Sequence, residues 1–377
     1  MNRRALVVGA GIGGLAAARV LLEAGFEVKV LERSANLHPP GAGVSLWPNA
    51  VRVLRELGVA EALPGAGEFR ADAGLRRWDG RLLAPTNPAA IERRYGAPML
   101  LLQRTTLHDA LLAGGIRELV QTSAEAIQVT DSGGRARVEL QDGGSLEADL
   151  LIGADSVHSK VRAGLLNDGA PRQSGLLAYR AIIDSPPLEL GLGEYWGRGK
   201  VFGLVPVDGG RLYWFATRRT SGGEPAESNP LPGLLERHRG WAPEIAKVVE
   251  ATPAQEVMRH DLLDRRPNRP WVGQYVGLLG DAAHPMLPFL GQGACQALED
   301  AQVLGQALRS DADIPTALRA YEARRRKRAA RIVTGSRHMG RLAHMRAAPL
   351  RAMRDRAMAM TPERVRLRHL DPILGRP

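Results

Sequence analysis

The sequence predicts an α/β protein: a parallel-sheet dinucleotide-binding domain, an antiparallel β-sheet inserted into it, and a helical C-terminal tail. Three observations carry that reading. A complete β-α-β unit with a glycine-rich first turn opens the chain. Two later apolar strands, Leu150–Ile152 and Val276–Leu279, each lead into an acid, Asp155 and Asp281. From about Gly175 to Arg218 the pattern changes to longer strands with no helix between them, which reads as an antiparallel sheet.

The first unit sets the frame. Ala5–Val8 is an apolar run suited to a buried strand, Gly9-Ala-Gly11-Ile-Gly13-Gly14 is a turn, and a helix runs from about Gly13 to Ala24 until Gly25 stops it. Glu27–Leu31 alternates as a second strand ending at Glu32. In a G-x-G-x-x-G turn the glycines have separate tasks. Gly9 permits the tight turn, Gly11 lets backbone approach a pyrophosphate, and Gly14 lets the helix pack on the strand. The phosphates belong at the helix N-terminus, where free N–H groups and the helix dipole favour negative charge. Glu32 comes about 20 residues on, where a carboxylate accepts the ribose hydroxyls. The unit alone does not separate FAD from NAD.

After Arg33 comes a Pro- and Gly-rich loop, Ser34–Gly43, and then Ser45-Leu-Trp47-Pro48-Asn49 leads into a helix from about Ala50 to Leu57, stopped by Gly58. Trp47 reads as a core aromatic. Residues 68–102 read as strands with turns at Asp79-Gly80 and around Pro85–Pro88. Arg104 precedes a helix over Thr105–Leu112, with Thr105 or Thr106 as its cap. Short strands follow at Ala126–Thr130 and Arg137–Leu140. The inserted sheet holds Leu177–Ile183, Lys200–Pro206 and Arg211–Thr217, the last two joined as a hairpin by Val207-Asp208-Gly209-Gly210. Ser221–Pro232 is a polar loop, Leu234–Val249 is helical with a break at Trp241-Ala-Pro243, and helices fill most of the chain after Asp281. This divides the chain into a discontinuous dinucleotide domain (1–67, 103–170 and 271–330), a substrate domain (68–102 and 171–270) and a basic helical segment (331–377).

Composition narrows the function classes. The 377 residues suit two domains, and the single cysteine, Cys295, excludes an internal disulfide and a cysteine-based metal cluster. No metal site is expected, and a reducing cytoplasm fits. The N-terminus enters a core strand at once, which leaves no room for a signal peptide, and no apolar run is long enough to span a membrane. The net charge of +11 is uneven: Tyr321–Pro377 holds 16 Arg and Lys against four acids, a net +12, so the first 320 residues carry −1. The plain reading is a solvated basic helical face; the alternative is a docking surface for an acidic partner. Nucleic acid is not expected, because no aromatic follows Tyr321 and no recognised module accompanies the charge.

Two later motifs join the first. In Leu150-Leu-Ile-Gly153-Ala-Asp155-Ser156-Val-His-Ser159-Lys-Val-Arg162 a buried strand delivers Asp155 to the edge of the sheet where ligands of open α/β sheets collect. In Gly280-Asp281-Ala-Ala-His284-Pro-Met-Leu-Pro288-Phe-Leu-Gly291-Gln292-Gly293-Ala294-Cys295 an acid ends a strand and a glycine-rich turn opens a long helix, a second N-terminus able to hold an anionic or electron-accepting group. Two such cradles and several sheet-edge acids imply one extended ligand.

With these three spaced motifs, over Leu6 to about Arg328, the sequence resembles the FAD-dependent aromatic monooxygenases of the para-hydroxybenzoate hydroxylase fold. It is similar to the urate- and salicylate-hydroxylase branch through Ser45–Asn49 and Gly240-Trp241-Ala-Pro243. The resemblance implies a Rossmann-type FAD-binding domain with an inserted substrate sheet. It implies hydroxylation of an aromatic or related hydrophobic small molecule with NAD(P)H and O2. Epoxidation of an alkene, or a reductase or saturase activity, is the alternative. By resemblance, Gly9, Gly11, Gly13 and Gly14 hold the FAD pyrophosphate, Glu32 the ribose with Arg33 beside it, and Asp281 the ribityl chain. Ser45 and Arg104 contact FAD, Asp155 serves FAD and NAD(P)H, and Pro288, Gly291, Gln292, Gly293, Ala294 and Cys295 lie at the isoalloxazine. Arg180 and Tyr213 are the catalytic candidates, at the flavin face and on a phenolic substrate; their plain readings are a salt-bridged strand arginine and a core tyrosine. His284 is expected to be structural. Cys295 opens a helix, a position that lowers a thiol pKa, but its turn acts through backbone. Ser156 departs from the family's Asp-Gly. Urate is disfavoured, because Val201 and Phe289 stand where urate hydroxylases place an arginine and an aspartate.

Overall fold

The computed structural model describes residues 3–37, 42–63, 73–184, 191–222, 224, 227–267, 269–310 and 313–375. Parts of the Ser34–Gly43 loop, of the 68–102 strand region and of the Ser221–Pro232 loop lie outside the described residues. A five-stranded parallel sheet has the order Val276–Leu278, Leu150–Gly153, Arg4–Val8, Glu27–Leu31, Val120–Gln121. Its central strand is apolar because elements cover both of its faces. The helices Ile12–Glu23 and Gly293–Ser310 pack on one another beside it, with Gly305 directly against Val20. A three-stranded antiparallel sheet, Ser145–Ala148, Arg135–Leu140 and Ala126–Ser132, packs on it as well.

The second large sheet has seven strands in the order Met258–Asp264, Arg172–Ile183, Arg211–Arg219, Lys200–Val207, Gly193–Gly197, Gly74–Arg77, Leu82–Pro85. Its pairs are antiparallel except Gly193–Gly197 with Gly74–Arg77. Because side chains alternate between faces, register decides which residues share a surface. Tyr179, Phe202 and Trp214 belong to one face, buried under the helices Leu231–Arg237 and Pro243–Glu250, with the Phe202 and Trp214 rings stacked at 5.4 Å. The other face carries the rows Val201–Thr217–Ala178–His260 and Gly203–Phe215–Arg180–Met258.

Four expectations need correction. Residues 88–95 form a helix, Pro88–Tyr95, not a strand region. Asn87 caps it by accepting from the Ala90 N–H, Pro88 occupies the first turn, and Gly96 closes it at φ 75°. These are helix signals, masked by the proline cluster that reads as a turn. The strand Leu100–Gln103 pairs with Gly43–Leu46 in a separate two-stranded sheet. Neither Thr105 nor Thr106 caps the next helix, Arg104–Leu112: Gln103 is its N-cap residue, and Thr106 donates to Asp208 at 2.7 Å. Short strands at Ser145–Ala148, Gly193–Gly197 and Met258–Asp264 were not expected; Met258–Asp264 depends on Arg172–Ile183 and Gly193–Gly197 in part on Gly74–Arg77, both distant in sequence, whereas Ser145–Ala148 pairs with its chain neighbour Arg135–Leu140.

The basic segment is not simply a solvated face. It folds as Ile314–Ala343, Ala348–Met360 and Glu363–Leu374, and several of its arginines are consumed internally. Arg325 is buried and pairs with Glu299 and Asp300. Arg328 pairs with Glu299 and donates to carbonyls of Pro372, Ile373 and Gly375. Arg354 lies over the Trp196 ring at 5.3 Å, and Asp371 pairs with Arg94. A charge count cannot show which arginines meet carboxylates from distant segments.

Candidate active site

The first turn is shaped by what a side chain would strike. A Cβ on Gly14 would lie 1.8 Å from the Gly9 carbonyl oxygen, and one on Gly9, at φ 105°, 2.5 Å from the Ala154 carbonyl oxygen. Gly13 passes as closely over Leu279, so the first helix and the third motif meet there. Gly11 differs: a Cβ there would meet no protein atom within 4 Å. No side chain caps the helix that Gly11 opens, so its first N–H groups have no intrahelical partner. Glu32 accepts from the Ala10 and Ser34 N–H groups, both at 2.9 Å, and so ties the turn to the end of the second strand. The buried His108 ring nitrogen lies 2.7 Å from the Ala10 carbonyl oxygen, a support that one histidine in an amphipathic helix does not advertise.

The second motif organises the next turn. Asp155 accepts from the Lys160 and Val161 N–H groups, and Ser159 accepts from that of Arg162, so both cap the helix Lys160–Leu166. The other Asp155 oxygen is buried without a partner among the described residues. Desolvation raises the Asp155 pKa against those N–H groups. Ser156 stands at φ 70°, the left-handed region where glycine is at ease. This is the physical reason for the family's Asp-Gly. Arg162 is buried, pairs with Asp168 and donates to the Ala282 and Ala283 carbonyls at 3.0 and 2.8 Å. It therefore staples the loop that carries Asp281.

The third motif is braced from below. Asp300, on the helix Gly293–Ser310, accepts from the Gly280 N–H at 3.0 Å, holds His284 at 2.6 Å and pairs with Arg325 at 2.7 Å. Burial alone would raise the Asp300 pKa, but His284 and Arg325 outweigh it and hold it at about 2. Asn49 donates to Gln292 at 3.0 Å and to Glu299 at 2.6 Å. His284 is buried and tied to Asp300 beneath the turn. Sequence reasoning missed Asn49, Asp300 and Arg325, since no local spacing links them.

These turns surround one cavity of about 1180 Å³. Its wall includes Gly9, Gly11, Gly13, Glu32, Arg33, Arg104, Asp155, Arg180, Asp281, Gly293 and Ala294. Gly14, Ser45, Pro288, Gly291, Gln292 and Cys295 do not line it, although Gly43 and Val44 beside Ser45 do; Gly14, Gln292 and Cys295 are buried, whereas Pro288 and Gly291 are exposed. Gln292 is buried and turned toward Asn49 and Gln296. Cys295 is buried too, and burial pushes its thiol up to about 12, opposite to the helix-start expectation. Arg104 faces Asp281: desolvation lowers the guanidinium's pKa and Asp281 opposes that shift. Arg180 has no ion pair or hydrogen bond among the described residues, so the salt-bridged reading fails for it. Tyr213 is buried with its ring against Gly43, behind the wall, and burial raises its pKa. Asp208 accepts from the Gln103 N–H and from Thr106, which anchors the hairpin beside Arg104.

The FAD binding domain family matches residues 3–336. The chain belongs to that family. This flavin monooxygenase is 37% identical to the aurachin C monooxygenase/isomerase of Stigmatella aurantiaca over 94% of its own length and 93% of the relative's. It is 36% identical to the 3-amino-4-hydroxybenzoate 2-monooxygenase of Streptomyces cremeus, covering 99% and 95%. The solved Klebsiella pneumoniae HpxO, in complex with FAD and uric acid, superposes with a TM-score of 0.91 at 29% identity, covering 100% and 97%. The family places the enzyme among FAD-dependent hydroxylases of aromatic compounds with the para-hydroxybenzoate hydroxylase fold. The cavity fits FAD on its own terms. At Gly11 and at Gly293 a Cβ would meet no protein atom, so both glycines leave room on the cavity side of a helix N-terminus.

Proposed function

We propose that the enzyme uses NAD(P)H and O2 to hydroxylate an apolar, electron-rich aromatic molecule, within a reducing cytoplasm. Gly9, Gly11 and the open helix N-terminus would hold the FAD pyrophosphate, Glu32 the ribose, and Asp281 with Arg104 the ribityl region. Bound there, FAD supplies the redox chemistry that activates O2. The chain itself orients the substrate and keeps water out.

One observation carries the substrate reading: the face of the seven-stranded sheet that meets the cavity through Arg180 is mainly apolar and aromatic, with Glu194, Thr217 and His260 among its polar residues. Gly203 leaves the space that the Phe215 ring fills, and Phe215 is the direct cross-strand neighbour of Arg180. Val201 is fully buried with Trp196 and Ala343, and the Phe289 ring meets His344 edge-on at 5.3 Å. Charged groups that read a purine are absent at those two positions. The relatives named for aurachin C, 3-amino-4-hydroxybenzoate and 3-hydroxybenzoate favour a ring substrate. Arg180 then offers an unpaired guanidinium to a ring oxygen.

The test is turnover under isotopically labelled O2 with phenols, quinolones and polyenes, and urate as control. Substrate-stimulated NAD(P)H oxidation and one labelled oxygen in the product are expected. Equal product without O2 would indicate a reductase, and urate as best substrate would overturn the reading of Val201 and Phe289. An acidic partner for the basic segment would have to engage the arginines not already paired internally.

A further inference from the structure

The helix Ala348–Met360 has two unlike faces. Its inner face is fixed to the fold: Arg354 is buried over the Trp196 ring, and Met358 packs with Trp196 and Val201. Its outer face carries Leu350, Met353, Ala357 and Met360 at i, i+3, i+7 and i+10, one continuous stripe. Leu350, Met353 and Met360 are 47, 65 and 67% exposed, and Val365, at the start of the next helix, is 39% exposed. A contiguous exposed apolar stripe marks a contact surface.

The charge around the stripe is uncompensated. Arg346, Arg351, Arg356 and Arg364 have no ion-paired carboxylate among the described residues, and Arg368 has only the electrostatic attraction of Asp371. Three of the segment's four acids are already used, Glu322 by Arg326, Asp355 by Arg354, and Asp371 by Arg94 and Tyr95, which leaves Glu363 as the one acid beside these arginines with no ion pair among the described residues. Apolar side chains flanked by free arginines, on a helix that cannot itself cross a membrane, match an interfacial amphipathic helix.

We propose that this face is a peripheral docking surface for an anionic lipid bilayer. Leu350, Met353 and Met360 enter the boundary between headgroups and acyl chains, and the flanking arginines meet lipid phosphates. A second copy of the chain is a poorer occupant, because pairing through this face opposes Arg346, Arg351, Arg356 and Arg364 of one copy to the same arginines of the other. An acidic protein is poorer too. A protein surface would immobilise the long Met side chains at a cost in rotamer entropy, whereas fluid acyl chains leave them mobile. The inner face of the same helix packs on Val201, so docking holds the apolar substrate region close to the membrane, where apolar substrates partition.

The test is sedimentation of the yellow holoenzyme with vesicles of equal parts phosphatidylglycerol and phosphatidylcholine, and with phosphatidylcholine alone. Co-sedimentation with the anionic vesicles only is expected. Replacing Leu350→Ser, Met353→Ser and Met360→Ser together should weaken it roughly tenfold or more. Arg356→Gln with Arg364→Gln should also weaken it roughly tenfold. Unchanged flavin absorbance in both variants shows that the fold and the cofactor site are intact. A holoenzyme that stays in the supernatant with both vesicle types overturns the proposal. So does equal binding by the apolar triple variant. A dimer in light scattering that the triple variant abolishes, without vesicle binding, assigns the face to self-association instead.

Discussion

The cavity is bounded by two glycine-bearing turns that do the same job by different means. The Gly9–Gly14 turn is held by backbone sterics: Gly14 fits over the Gly9 carbonyl and Gly9 over Ala154. The turns from Gly280 to Gly293 are held by buried side chains: Asp300, His284 and Arg325 under Gly280, and Asn49 and Glu299 around Gln292. The first solution is local in sequence apart from Ala154 and Leu279, and tolerates no Cβ at Gly9, Gly13 or Gly14. The second is assembled from segments as far apart as Asn49 and Arg325, and tolerates no missing partner. A buried ion network is costly to break because the survivors stay desolvated. A packed glycine is costly to replace because backbone cannot step aside.

The sharpest way to break the comparison is Asp300→Ala. It removes one of the two carboxylates of Arg325 and the partner of His284, and leaves the Gly280 N–H without its acceptor, so denaturant unfolding should show a loss of about 3–5 kcal/mol. A loss under 1 kcal/mol would mean that the network does not brace the turn. The pH dependence follows from the same group. The Asp300 pKa is depressed in the folded state to about 2, below the ordinary value of about 3.9. Its stabilisation is therefore present above pH about 4 and lost as pH falls through about 2. The thermal midpoint should drop across that window, and Asp300→Asn should flatten the drop.

On the backbone side, Gly14→Ala should cost about 1–3 kcal/mol, since its Cβ would meet the Gly9 carbonyl at 1.8 Å. Gly11→Ala sharpens the contrast between glycines kept for packing and one kept for a ligand. No protein atom would meet its Cβ. Stability of the apoprotein should change by less than about 1 kcal/mol, while FAD titration should show affinity falling roughly tenfold. Equal losses in both measurements would contradict that role. The smallest effect belongs to Ser156→Gly. Relief of the left-handed conformation should stabilise the protein by about 1 kcal/mol or less, offset by the added freedom of the unfolded chain. A destabilised variant in thermal unfolding would show that the Ser156 side chain has a role beyond occupying the position.

Much of this was legible in the sequence. The first β-α-β unit folds with the expected strands, and the helix Ile12–Glu23 lies within a residue of its expected bounds. The hairpin through Asp208–Gly210 forms, and the helical stretch breaks before Pro243. The helix Pro88–Tyr95 was misread because Asn87-Pro88 serves turns and helix starts equally. The basic tail was misread because net charge says nothing about pairing: Arg354 is buried while Arg356, two residues on, is exposed.

By itself the sequence determined the parallel sheet, the glycine cradle and the sheet-edge acids, and the family resemblance those motifs carry pointed to a flavin enzyme. Backbone sterics and hydrophobic periodicity act over a few residues, so those signals are written contiguously. The tertiary structure decided that Arg180 stands in the cavity wall with no ion pair among the described residues, that Tyr213 lies behind Gly43, and that Phe215 fills the space over Gly203. It also decided that Asp300 and Arg325 carry the second turn while Leu350, Met353 and Met360 face outward. Each of these depends on strand register or on contacts between distant segments, and neither leaves a local trace in the order of residues.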